Sequence, residues 1–314
     1  MKKSLIAFVL AVSMIWAVNI FASLLRLDDS ANQETDESMQ QPAQEKTIQV
    51  LVNGKTEILT MTDYLTGVLV SEMPSFFCVE AKKAQVVAAR TFAMRMAQMP
   101  YRHGECAVCD DPGCCQGYLS LEAYIHYGGN ETDYTSAREA VMATDNYVLV
   151  YMGSLIEATY FSCSGGRTED ALAVWGTDVP YLQAVNSPGE EDSVFYTNSV
   201  QISTSDFQEK LGVTLSGSPK TWIGKVSYTD GNGVSYMEIG GKLYSGNELR
   251  KLLELRSTCF TMLPLEDGLI ITTRGFGHRV GMSQYGAEAM AQAGYTWEEI
   301  LCHYYEGVEI QEGE

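Results

Sequence analysis

The chain has 314 residues, with 21 Lys and Arg against 40 Asp and Glu, and a formal net charge of −19. That balance excludes a nucleic-acid binder, because phosphate recognition needs a basic surface, and it excludes docking on anionic lipid through a polybasic patch. With 28 glycines, 8 prolines and 46% apolar residues, the composition is that of a globular chain, neither fibrous nor wholly disordered.

Met1-Lys2-Lys3 precedes an uncharged stretch from Ser4 to Leu25. Its 22 residues match the roughly 20 that a membrane span needs, and no Ala-x-Ala exit of a cleaved signal is present. We therefore expect an uncleaved transmembrane anchor over 1–26. Lys2 and Lys3 would hold the start inside, which places the rest of the chain outside the cytoplasm. Residues 27–46 are polar and acidic, with Asp28, Asp29, Glu34, Asp36, Glu37 and Glu45, and read as a solvated tether. The remaining 47–314 can support one large domain or two fused lobes; it has no internal repeat and no second linker.

Ile48, Val50 and Val52 alternate before Asn53-Gly54, and Ile58 and Leu59 follow, which predicts a hairpin with a primed turn. Thr62-Asp63 would cap a short helix through Leu69. Val79 to Met99 is Ala-rich with helical spacing, and Pro100 ends it. Arg102 to Tyr118 is a cysteine-rich loop. Tyr147 to Tyr160 reads as a hairpin turning at Met152-Gly153-Ser154, and Ser162 to Pro188 as Gly-rich and irregular. Strands are expected around Asp230-Gly231-Asn232-Gly233. Ser245-Gly246-Asn247-Glu248 forms a capping box for a helix through Leu255. Leu269 to Thr273 reads as a strand, followed by a Gly-rich turn, a helix near Glu288, and a last helix capped at Thr296-Trp297-Glu298-Glu299. Strands and helices mix without strict βαβ alternation, so the fold class is α+β.

Four segments could carry chemistry. In the first, Ser71-Glu72-Met73-Pro74 precedes the helix bearing Lys83 and Arg90, which are seven apart and share a face. Glu72, placed in the turn before that helix, is either a carboxylate favoured by the helix dipole or a proton donor raised by desolvation. Composition alone favours the dipole role. The second is His103-x2-Cys106-x2-Cys109-x4-Cys114-Cys115, five imidazole or thiol groups within 13 residues. Zinc takes such ligands in a tetrahedron; a disulfide loop is the competing reading outside the cytoplasm. His103, Cys109 and Cys115 rank first as ligands, with Cys106, Cys114 or a water as the fourth.

The third segment, Tyr160 to Glu169 with Trp175 and Tyr181, joins a Ser/Gly turn at Ser164 to aromatic rings. It suits sugar binding, or is an ordinary structured loop. The fourth, Arg274 to Ala287, has a Gly-x-Gly-x3-Gly spacing that is not the dinucleotide fingerprint. His278 and Gln284 would orient a ligand there, or His278 is structural. Cys78, Cys163, Cys259 and Cys302 remain; Cys163 with His278 is a minority Cys/His hydrolase pair.

Together these segments resemble the stage II sporulation protein D family of spore-forming bacteria. The likeness rests on Ser71 to Pro74 with Glu80 to Thr91, on Ser164 to Glu169 with Trp175 and Pro180-Tyr181-Leu182, and on Gly275 to His278 with Met282 to Ala287, in the family's order over roughly 47–310. The resemblance implies a mixed two-lobed domain with a central cleft. It implies a lytic transglycosylase that cleaves the β-1,4 bond between N-acetylmuramic acid and N-acetylglucosamine, closing a 1,6-anhydro ring without water. Glu72 is then the single acid and base. Lys83 and Arg90 would position glycan or Glu72, Ser164 and Tyr181 would contact substrate, and His278, Ser283, Gln284 and Tyr285 would line the opposite wall. The clostridial members are similar at His103, Cys109 and Cys115, which implies a structural zinc. The family's role is engulfment of the forespore, so the implied site is the mother-cell membrane with the domain facing the space toward the forespore. Implied partners are peptidoglycan glycan strands and stage II sporulation proteins P (an amidase/endopeptidase) and M (a membrane protein), the amidase supplying denuded glycan. The alternative function is a non-catalytic glycan-binding scaffold for that amidase.

Overall fold

The computed structural model describes residues 45–100 and 102–313. The expected anchor over 1–26 and nearly all of the tether over 27–46 lie outside the described residues. No helix among the described residues is long and apolar enough to cross a membrane.

The chain opens with the hairpin β1 (Thr47–Val52) and β2 (Lys55–Thr60), turning at Asn53 and Gly54, both at positive φ as a primed turn requires. Helix α1 (Met61–Glu72) follows, capped by Thr60, whose hydroxyl accepts from Asp63 N. It starts earlier and runs longer than the Thr62-Asp63 signal predicts, so Glu72 is its last residue rather than part of a turn before the next helix. Helix α2 (Val79–Gln98) matches the expected Ala-rich helix. Val86, Ala89, Ala93 and Met96 pack into one apolar cluster, and Ala81, Ala84, Val87 and Ala88 into another. Small residues on two faces let both layers approach this central helix closely.

The cysteine-rich segment is not only loop. β3 (Val108–Cys109) adds to β1 in parallel, which pins the loop to the first sheet. α3 (Leu121–His126) and α4 (Glu131–Ala143) follow, capped by Ser120 and Asn130. β4 (Tyr147–Tyr151) and β5 (Ser154–Leu155) make the expected hairpin around Met152-Gly153. β6 (Tyr160–Phe161) departs from it, because it pairs in parallel with β13 (Met282–Ser283).

Between them lie α5 (Ala171–Trp175), β7 (Thr197–Ser203), α6 (Thr204–Leu211), β8 (Ile223–Tyr228), β9 (Val234–Ile239), β10 (Lys242–Ser245), α7 (Gly246–Leu252), β11 (Phe260–Pro264) and β12 (Gly268–Arg274). These form two three-stranded antiparallel sheets, β10-β9-β8 and β11-β12-β7, around a third apolar cluster centred on Phe207, Trp222, Leu249 and Leu269. The chain ends with α8 (Gln284–Gln292), α9 (Trp297–Tyr304) and β14 (Glu309–Glu312), which returns to β4. The capping boxes at Ser245/Glu248 and Thr296/Glu299 are both fully formed. Small, mostly antiparallel sheets mixed with helices make the fold α+β.

Candidate active site

The β6–β13 pairing, with Met282 opposite Tyr160 and Ser283 opposite Phe161, carries the site, because it brings Gln284, the first residue of α8, to the end of α1. Gln284 Nε2 donates to Glu72 Oε2 at 3.3 Å, and Gly117 N donates to Glu72 Oε1 at 2.7 Å. Although the residue is only half-buried, burial raises the carboxyl's pKa above the ordinary value, and the two donors oppose it. The helix dipole adds to the upward push, since Glu72 sits at the negative C-terminal end of α1. This reverses the dipole role read from the sequence, and it follows from the helix boundary.

Glu72 lines a cavity of about 350 Å³ shared with Arg102, Cys115, Tyr160, Trp175 and His278. A second carboxylate, Glu157, lines the same cavity. Gln116, 1% exposed, also lines it and bonds Tyr64, Tyr160 and the carbonyl of Ala89. That anchored amide fixes the next residue, Gly117, whose N–H holds Glu72. A Cβ at Gly117 would lie 2.5 Å from Ser71 Oγ and 3.1 Å from Glu72 Oε1, so only glycine fits there without displacement.

The metal cluster adjoins this cavity. The ligand atoms of His103, Cys109, Cys114 and Cys115 lie within 4.8 Å of one another. His103 Nε2 is 3.6 Å from Cys114 Sγ and 3.4 Å from Cys115 Sγ. Donors on a tetrahedral zinc at its usual bond lengths stand about 3.5–3.8 Å apart, so the site fits a zinc ion. Cys114 would supply the fourth ligand. Cys106 does not join it, because its thiol turns to Thr56 Oγ1 at 3.3 Å.

The other expected site residues divide. His278 lines the cavity, but both ring nitrogens are occupied by backbone: Nδ1 accepts from Val280 N, and Nε2 faces the Tyr160 carbonyl at 3.1 Å. Burial, with Arg250 nearby, holds its pKa down to about 4, so the ring is neutral. Its position orients Trp175, whose ring centroid is 5.4 Å away. Tyr285 packs edge-on against Phe77 and Phe195.

Lys83 is not among the residues lining the cavity; it pairs with Glu80 at 2.7 Å. Arg90 is 3% exposed and donates to the carbonyls of Val141, Thr144 and Tyr147, closing the C-terminal end of α4. Tyr181 OH accepts from Glu157 N, and its ring packs at a tilt against Tyr151. Ser164 and Ser283 are buried and both donate to Glu190, at 2.8 and 2.6 Å. Sequence reasoning missed Glu190, a buried carboxylate that also takes Ser187 Oγ and the N–H groups of Ser164 and Gly165. Cys163 joins the same network rather than His278. Burial and the Glu190 charge push its thiol up to about 12, which removes the nucleophile of the Cys/His pair.

The profile of the family described as Stage II sporulation protein matches residues 53–151. The chain is 39% identical over 267 residues to Stage II sporulation protein D of Bacillus subtilis (strain 168), covering 83% of this chain and 77% of the relative. The protein of that name from Bacillus amyloliquefaciens matches with the same identity and coverage. The Amidase enhancer of Bacillus subtilis is 30% identical over 301 residues, covering 78% of this chain but 40% of the relative.

Proposed function

Because the chain belongs to the stage II sporulation protein D family, we propose that it is a sporulation lytic transglycosylase of peptidoglycan, with Glu72 as its acid and base. The carrying observation is the Glu72 carboxyl itself: raised by burial, at the negative end of α1, with a cavity before it. The protonated carboxyl gives its proton to the glycosidic oxygen between N-acetylmuramic acid and N-acetylglucosamine. The C1–O bond breaks, and the glucosamine leaves with a 4-hydroxyl. The muramic 6-hydroxyl then attacks C1 as Glu72 takes its proton, which closes the 1,6-anhydro ring and restores the acid without water. Gly117 N and Gln284 Nε2 stabilise the carboxylate between these steps, while burial favours the acid, so the group is poised for both roles.

Of the expected substrate contacts, His278 lines the cavity, Gln284 acts through its hydrogen bond to Glu72, Tyr285 and Tyr181 support the walls, and Ser164, Ser283, Lys83 and Arg90 hold the scaffold. Zinc on His103, Cys109, Cys114 and Cys115 would fix the loop that carries Gly117; its role is structural. We place the domain outside the cytoplasm at the mother-cell membrane, acting on denuded strands with stage II sporulation proteins P and M in forespore engulfment.

Two observations support other readings. The likeness to an Amidase enhancer fits a glycan-binding scaffold without catalysis. Glu157 in the cavity fits a hydrolase with two carboxylates. Digestion of denuded glycan separates all three: anhydro ends support the transglycosylase, reducing muramic ends the hydrolase, and intact strands the scaffold.

A further inference from the structure

The cavity holds two features that acid–base chemistry does not use. Trp175, the last residue of α5, is 44% exposed, and its indole lines the wall. It is fixed in place: Asn247 Nδ2 donates to the Val174 carbonyl, and His278 packs against the ring. An exposed indole clamped beside a proton donor is a platform for the apolar face of a sugar ring. Arg102 is the single Lys or Arg among the residues that line the cavity. It is exposed, and among the described residues it forms no ion pair. Its neighbour His103 belongs to the His/Cys cluster, so the same loop places this exposed guanidinium at the cavity's rim.

A cation without an ion-pair partner, lining the same cavity as Glu72 and Glu157 in a chain of net charge −19, calls for an anionic partner. Muramic acid supplies one. Its 3-O-lactyl group ends in a carboxylate once the peptide is removed, and is a neutral amide while the peptide remains. That carboxylate is separated from the ring by one ether oxygen and one carbon, so a ring held on Trp175 brings it within the same cavity. A guanidinium fork matches a carboxylate with two parallel hydrogen bonds, which an amide cannot accept.

We infer that Trp175 and Arg102 form a muramic-acid subsite, in which the indole carries the sugar ring and Arg102 reads the free lactyl carboxylate that marks a strand stripped of peptide. This rests on the peptidoglycan reading above and adds the residue that selects denuded strands.

The test is a binding titration by calorimetry with the full-length Glu72→Gln protein, which separates recognition from cleavage. Three probes are compared: a glucosamine–muramic tetrasaccharide with free lactyl groups, the same tetrasaccharide with those groups converted to primary amides, and chitotetraose. The free-acid tetrasaccharide should bind about tenfold more tightly than the other two, a single charge-assisted contact. Adding Arg102→Gln should abolish that difference and leave the other two unchanged within about twofold. Arg102→Lys should keep part of it, and Trp175→Ala should weaken all three. Equal binding of the free acid and the amide by the Arg102 protein would overturn the inference and leave the enzyme reading standing. No binding of any probe would overturn both.

Discussion

Gly117 donates its backbone N–H to Glu72 Oε1 at 2.7 Å, two residues past the metal-cluster residue Cys115. The carboxyl at the cavity is therefore held by the cysteine-rich loop rather than by its own helix. A side chain at Gly117 would collide with Ser71 and crowd Glu72. Gly117→Ala should lower kcat by at least tenfold while the protein stays folded, since the hydrogen bond is lost and the acid displaced. Unchanged kcat on denuded glycan would show that the loop does not position Glu72.

Glu72 also makes a prediction for stability. Its pKa in the folded state is raised above 4.5, so the folded protein holds this proton more tightly than the unfolded chain. The associated stability is fully present below pH 4.5 and is lost as pH rises through the folded value. Glu72→Gln escapes that loss. Its Tm should match the wild type below pH 4.5 and exceed it increasingly above, by about 2–4 °C for each kcal/mol involved. A constant Tm difference across pH would contradict the burial of this carboxyl.

The metal cluster assigns Cys114 and excludes Cys106. Cys114→Ser should weaken zinc retention at least tenfold and lower Tm, whereas Cys106→Ser should keep one zinc per chain. Chelation should lower Tm and activity together, with zinc restoring both, because metal binding energy is folding energy here. Metal analysis of the purified chain checks this; thiols found in disulfides with no zinc would refute the site.

Arg279 lies at φ +67 and is 1% exposed; its guanidinium donates to the carbonyls of Ser164, Arg167 and Gly231 and pairs with Glu169 at 3.2 Å. It turns into the scaffold and is not among the residues lining the cavity. Arg279→Ala should cost about 3–5 kcal/mol in chemical denaturation, because Glu169 is left buried without its cation. A change under about 1 kcal/mol would show that this network carries little stability.

How far the sequence reached follows from which signals are local. The hairpin turn, the Ala-rich helix, both capping boxes and the metal spacing are short-range patterns, and they stand in the structure. Lys83 and Arg90 shared a helix face as their spacing implied, yet spacing does not say which partner is nearer. Glu80 lies one turn before Lys83, and the carbonyl end of α4 sits against Arg90. The Glu190 network, the Gly117 contact and the β6–β13 pairing join residues far apart in the chain, which no local pattern encodes. Glu72 is legible only through the resemblance; the burial that raises its pKa, and its place at the end of α1, are tertiary features.

The central claim is that Glu72 both gives and takes the proton, so that the product closes on itself. Mass spectrometry of denuded glycan digested by the purified chain tests it most directly. The account predicts muramic ends in the 1,6-anhydro form, with cleavage by Glu72→Gln reduced at least 100-fold. Reducing muramic ends, or undiminished cleavage by Glu72→Gln, would contradict it.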